Sequence, residues 1–147
     1  AEDGIRDDLV TGVQTCALPI LDLLRQSDCA SVVNVASMLS FFGSPYVPGY
    51  SASKGGVVQL TRSLAIAWAS DGIRVNAVAP GLTETRLGAS VLRSEAIREA
   101  SVGMIPLKRI NEPSEVASSM HWLLTQAPDN FTGQVLHLDG GMSAIRG

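Results

Sequence analysis

The chain has 147 residues, 46% of them hydrophobic and 17% charged, which bounds it to a globular protein of at most one domain with enough length to bury a core. Its formal net charge of −3, with no basic stripe carrying interleaved aromatics, argues against nucleic acid as a partner. No apolar run reaches the roughly 18 residues of a membrane span and the start lacks a signal-peptide pattern, so no membrane partner is expected and the cytoplasm is the expected compartment.

Residues 1–20, AEDGIRDDLVTGVQTCALPI, are acidic, turn-prone and without period. Glu2, Asp3, Asp7 and Asp8 against Arg6 give this segment −3, the whole net charge of the chain. LDLLRQSD then reads as the last turns of an amphipathic helix, and CASVVNVAS as a short β-branched run of buried-strand length. A Gly- and Pro-bearing loop, MLSFFGSPYVPG, leads to a helical pattern from residue 50 to about 69, with Val57, Leu60, Leu64, Ala67 and Trp68 on one apolar face. Asp71 and Gly72 stop it.

IRVNAVAPG is a second strand ended by the turn-forcing pair Pro80 and Gly81. LTETRLGASVLRSEAIREAS is a looser, partly helical excursion. Glu112 and Pro113 open another helix through SEVASSMHWLLTQ, since Pro is tolerated in a first turn. GQVLHLDGG closes as a third strand and a glycine turn. Strands alternating with helices of crossover length predict an α/β fold with a doubly wound parallel sheet. Cys16 and Cys29 stand in no CxxC or Cys/His spacing and read as ordinary small apolar residues, so no metal site is predicted.

The segment YSASK places Tyr50 and Lys54 at i and i+4, on one face of a helix. A free phenol titrates near about 10, too high for proton exchange at neutral pH, and an ammonium one turn away favours the phenolate. That suits acid–base work. Ser37 lies at the carboxyl end of the strand before, and Pro80, Gly81, Thr83 and Thr85 at the end of the strand after. Parallel strands point one way, so these ends converge on one rim, where open α/β sheets bind ligands.

The runs VVNVAS, YSASK, IRVNAVAPGLTET, PLKRINEPSEVA and FTGQVLHLDGG resemble, in order and spacing, the C-terminal half of short-chain dehydrogenases/reductases. The likeness covers the chain from Leu21 to about Met142. It lies closest to the branch holding 3-oxoacyl reductases and sugar or sugar-acid dehydrogenases. The resemblance implies an NAD(P)-dependent oxidoreductase acting on a small alcohol or ketone. Tyr50 would be the acid or base. Lys54 would bond the nicotinamide ribose, and Ser37 would orient the substrate oxygen. Pro80, Gly81, Thr83 and Thr85 would line the nicotinamide pocket, with the Thr85 hydroxyl meeting the carboxamide, and residues 87–101 would form a lid.

Tyr46 has no Lys at its own i+4 and is expected in the loop or substrate pocket. Asn34 and Asn76 are expected to be structural. His121, beside Trp122, is expected to pack or face solvent. An enoyl-reductase arrangement needs a Tyr where Val47 stands. Ala52, Gly55 and Gly56 allow close backbone approach on the Tyr50 helix, and the resemblance implies a homodimer or homotetramer built partly there and on the last strand. The alternative is a non-catalytic relative that binds a nucleotide as a sensor or scaffold.

A complete member begins with a strand, a glycine-rich pyrophosphate turn and a cofactor-selecting residue. The sequence contains none of these, so an incomplete, C-terminal part of a Rossmann sheet is expected at residues 21–147, inactive on its own. The outer edge of its first strand, about residues 31–36, would lack a neighbour. Residues 1–20 are expected to be non-native. Ala1 to Asp7 and Val10 to Ile20 back-translate into strings resembling the two fixed parts of a sequencing-library adapter, with Asp8 and Leu9 in place of its barcode.

Overall fold

A computed structural model describes residues 20–146, without the side chains of residues 90, 91 and 146. The reading of residues 1–20 as non-native therefore falls almost wholly outside the described residues.

Three parallel strands, β1 (Ser31–Val35), β2 (Arg74–Pro80) and β3 (Val135–Leu138), pair in that order. The helices are α1 (Leu21–Leu24), α2 (Pro48–Ala67), α3 (Arg86–Val91), α4 (Glu95–Gly103), α5 (Pro113–Thr125) and α6 (Met142–Arg146). None of the described helices is long and apolar enough to cross a membrane.

The central strand reads as a near-continuous apolar run because both its faces are covered. Val75, Ala77, Val78 and Ala79 are all fully buried. Ala77 and Ala79 pack with Val57 and Val58 of α2 on one face, and Val78 packs with Leu123 of α5 on the other. This is the expected doubly wound arrangement. Asn76 interrupts the run without a penalty, because its Nδ2 donates to the Phe131 carbonyl at 2.7 Å and its Oδ1 accepts from the Gln134 N–H at 3.0 Å. These bonds carry the chain into β3.

Helix α2 begins two residues earlier than expected, with Pro48 in its first turn, a position where its missing N–H costs nothing. Its buried stripe is Val58, Thr61 and Ala65, continued by Trp68, and Ala67 is exposed. The expected face is thus rotated by about one residue. Thr61 turns inward because its hydroxyl donates to the Val57 carbonyl at 2.8 Å and accepts from Asn34 Nδ2 at 3.0 Å. A hydrophobic pattern does not register a threonine that enters the core with its partner. Cys29 is exposed, contrary to its reading as a small apolar residue.

Candidate active site

The first corner of the site is built at the end of β1. The Ala36 N–H donates to the Val78 carbonyl at 2.8 Å, so pairing runs one residue beyond the strand before the chain departs. Ser37 follows in an extended conformation, 7% exposed, as the N-cap of a 3-10 turn, Met38–Ser40. Its Oγ accepts from the Leu39 N–H and its own N–H donates to Ser40 Oγ, each at 3.2 Å. This capping box fixes the Ser37 side chain. The turn rests on α2 at Gly55, where a Cβ would lie 3.7 Å from the Ser40 carbonyl oxygen. The close approach at Gly55 is thus within the chain, whereas the Cβ position of Gly56 is open.

Helix α2 supplies the second corner. Tyr50 stands in its first turn, 37% exposed. One turn later, the Lys54 Nζ sits 5.9 Å from the Tyr50 ring centroid and donates to the Val35 carbonyl at 2.7 Å. Ala36 points its backbone groups toward β2, so those of Val35 point to the other side of β1. The ammonium therefore bridges the helix and the outer edge of the sheet. Tyr46 is 90% exposed and lines no pocket here. Val47 directly precedes the helix, and His121 is exposed on α5.

The third corner is the end of β2. The Gly81 N–H donates to the Leu138 carbonyl at 2.8 Å, and a Cβ on Gly81 would come within 3.0 Å of Asp139 Cα. Thr83 Oγ1 donates to the Gly81 carbonyl at 3.0 Å. Thr85 is the N-cap of α3, its Oγ1 accepting from the Gly88 N–H at 3.1 Å. Only glycine fits at position 88, because a Cβ there would lie 2.0 Å from the Thr83 carbonyl oxygen. Both threonine hydroxyls are thus held by their own loop. As a hydroxyl, Thr85 can accept that bond and still donate another.

Residues that the sequence did not single out hold this corner in place. The Asn111 N–H donates to the Leu82 carbonyl at 2.8 Å and the Glu84 N–H to the Asn111 carbonyl at 2.9 Å. Arg98 of α4 pairs with Glu84 at 2.8 Å, and Lys108, in the left-handed region at φ 54°, donates to the Gly103 carbonyl at 2.6 Å. The expected lid is therefore clasped at both ends. Arg109 grips Glu115 through two bonds of 2.8 and 2.6 Å. Those bonds, then the Glu112 N–H, hold the Glu115 carboxyl down at about 2. Burial disfavours charge on Asp139, but bonds from Ser143 and Gly141 outweigh it and hold that carboxyl below its ordinary range. A groove of about 400 Å³ between α4 and residues 108–112 is lined by Glu84, Arg98, Val102 and Ile110, not by Ser37, Tyr50 or Lys54.

A family model described as enoyl-(acyl carrier protein) reductase matches residues 8–143. The structure overlays a short chain dehydrogenase family protein from Francisella tularensis with a TM-score of 0.75 at 33% identity, covering 79% of this chain and 52% of that one. The chain belongs to the short-chain dehydrogenase/reductase family. A provisionally assigned 2-deoxy-d-gluconate 3-dehydrogenase of Agrobacterium tumefaciens, solved with bound NADP, matches with a TM-score of 0.80 at 39% identity, over 90% of this chain and 52% of that one. Cis-4-hydroxycyclohexanecarboxylate dehydrogenase of Sinomonas cyclohexanicum is 38% identical over 136 residues, covering 92% of this chain and 54% of that protein. The chain of this short-chain dehydrogenase/reductase thus spans about half the length of these relatives.

The residues present fit the nicotinamide end of NAD or NADP. Lys54 spends one ammonium proton on Val35 and has two more for ribose hydroxyls, and residues 81–85 present backbone groups and the Thr85 hydroxyl at the same rim.

Proposed function

We propose that this chain carries the catalytic half of an NAD- or NADP-dependent oxidoreductase that interconverts a secondary alcohol and a ketone, with Tyr50 as acid or base. The observation that carries this reading is the placement of the Lys54 ammonium 5.9 Å from the Tyr50 ring, on the helix against which the Ser37 turn rests. The family match and the NADP-bound relative support it.

When bound, the nicotinamide supplies or accepts the hydride. Tyr50 gives a proton to the ketone oxygen in reduction and takes one from the alcohol in oxidation. Lys54 stabilises the phenolate left behind and holds the ribose. Ser37, its Oγ fixed by the Leu39 N–H, donates its own hydroxyl proton to the substrate oxygen and aligns it. Pro80, Gly81, Thr83 and Thr85 form the wall for the carboxamide. Residues 87–101 cover the substrate.

The sequence as given has no glycine-rich pyrophosphate turn, so the 147-residue chain alone binds the dinucleotide weakly and does not turn over. Exposed Ala52, open Gly56 and Ile66, 80% exposed on α2, support a homodimer or homotetramer formed partly through this helix. Replacing Tyr50 by Phe in the full-length protein tests the mechanism. A loss of roughly 10²-fold or more in kcat is expected for removal of the acid–base group, and unchanged turnover returns the protein to the class of nucleotide-binding sensors.

A further inference from the structure

We propose that Asn111 is a positioning residue that sets the height of the loop of residues 81–85 over the site, an inference that rests on the oxidoreductase reading. Strand β3 ends at Leu138, and Asp139 turns the chain back by accepting from the Gly141 and Ser143 N–H groups at 3.0 and 2.8 Å. Beyond Gly81, the continuation of β2 thus has no β3 residue left to pair with. Asn111 takes that place. It forms an isolated parallel bridge with Thr83, bonding the peptide groups on either side of it through Leu82 and Glu84.

A one-residue strand is weakly held unless something anchors it. The anchor is the Asn111 side chain, whose Nδ2 donates to the Leu138 carbonyl. That same oxygen receives the Gly81 N–H, so both of its lone pairs are used, one by each end of the loop. On either side, Ile110 is buried with Ile105 and Met142, and Glu112 opens α5 in a capping box with Glu115. Asn111 touches neither Tyr50 nor Lys54. It acts by fixing Thr83 and Thr85 to the end of β3, and any shift of Asn111 shifts both.

Asn111→Asp keeps the size of the side chain and sets a carboxylate oxygen against the Leu138 carbonyl. In the 147-residue chain, hydrogen exchange of the Glu84 and Gly81 amides should quicken by about tenfold or more, the consequence of a lost bond and a stranded acceptor, while the Val78 amide in the core keeps its rate. In the full-length protein at 25 °C, kcat should fall and the KM for the cofactor rise, together lowering kcat/KM by about tenfold to a hundredfold, the range expected for a displaced positioning group. Unchanged Glu84 and Gly81 exchange overturns the proposal. So does faster exchange with kcat and cofactor KM within twofold of the wild type, which marks a merely structural residue. A wild-type full-length protein without turnover counts against the oxidoreductase reading instead, and the amide comparison still decides whether Asn111 holds the loop.

Discussion

The Lys54 ammonium donates to the Val35 carbonyl at 2.7 Å, and this bond ties the helix bearing Tyr50 to the outer edge of β1. The same ammonium lies 5.9 Å from the Tyr50 ring, near the outer limit of a cation–π contact. Position 54 thus serves the sheet and the phenol together. Lys54→Met in the full-length protein should lower kcat/KM by roughly 10²-fold or more, as for loss of a preorganised charge at a reacting centre. Steady-state kinetics checks this, and a variant within twofold of the wild type removes Lys54 from the machinery.

Two glycines should respond in opposite directions to alanine. At Gly88 a Cβ would lie 2.0 Å from the Thr83 carbonyl oxygen, and since that atom is backbone, the loop must move. Gly88→Ala should destabilise the fold by about 1–3 kcal/mol, the usual cost of overpacking. Gly56 lies inside α2 with nothing within 4 Å of its Cβ position. Gly56→Ala should stabilise the monomer by about 0.5–1 kcal/mol through the unfolded-state entropy. Urea denaturation of the two variants checks both signs.

The Arg109–Glu115 pair gives a pH signature. Its bonds lower the folded-state Glu115 carboxyl from the ordinary 4.5 to about 2. A depressed carboxyl stabilises the fold above its unfolded value, and that contribution is lost as the pH falls from about 4.5 through about 2. The pair is exposed, so the effect is small and screened by salt. The stability difference between wild type and Glu115→Gln should be present at pH 6 and vanish near pH 2. A difference independent of pH over that range speaks against the pair.

Thr61→Val removes the hydroxyl that joins Asn34 Nδ2 to the Val57 carbonyl. Leaving the amide of Asn34 unpaired under α2 should cost about 1–3 kcal/mol, although valine has the same shape and is more apolar. Thermal or urea unfolding measures it, and a neutral result means that Asn34 finds another partner.

That pair also shows where the sequence was legible and where it was not. The strand ends were readable because their signals are local: an apolar run stopping at Ser37, and Pro80 with Gly81 forcing a turn. YSASK was readable because i and i+4 share a helix face. Thr61 was misplaced because its reason for facing inward, Asn34, lies 27 residues away. Asn111 gave no signal at all, since its partners are carbonyls and amides of residues 82, 84 and 138, which any residue type supplies. The Glu84–Arg98 clasp was hidden for a related reason: charges in a polar, loosely helical stretch read as solvated until the fold brings them together.

Residues 1–20 carry the net charge of the chain and one of its cysteines, and the family match begins at residue 8, inside them. We propose that they are translated adapter sequence. Their codons decide the matter: the bases of a sequencing adapter are expected, and codons unlike it end the idea.

The most direct test of the central claim follows the hydride in the full-length protein. With a nicotinamide cofactor deuterated at the reactive carbon and a ketone substrate, the deuterium should appear on the carbinol carbon of the product, and Tyr50→Phe should abolish its transfer. No deuterium in the product of the wild type with either NADH or NADPH, or undiminished transfer in Tyr50→Phe, would contradict the account.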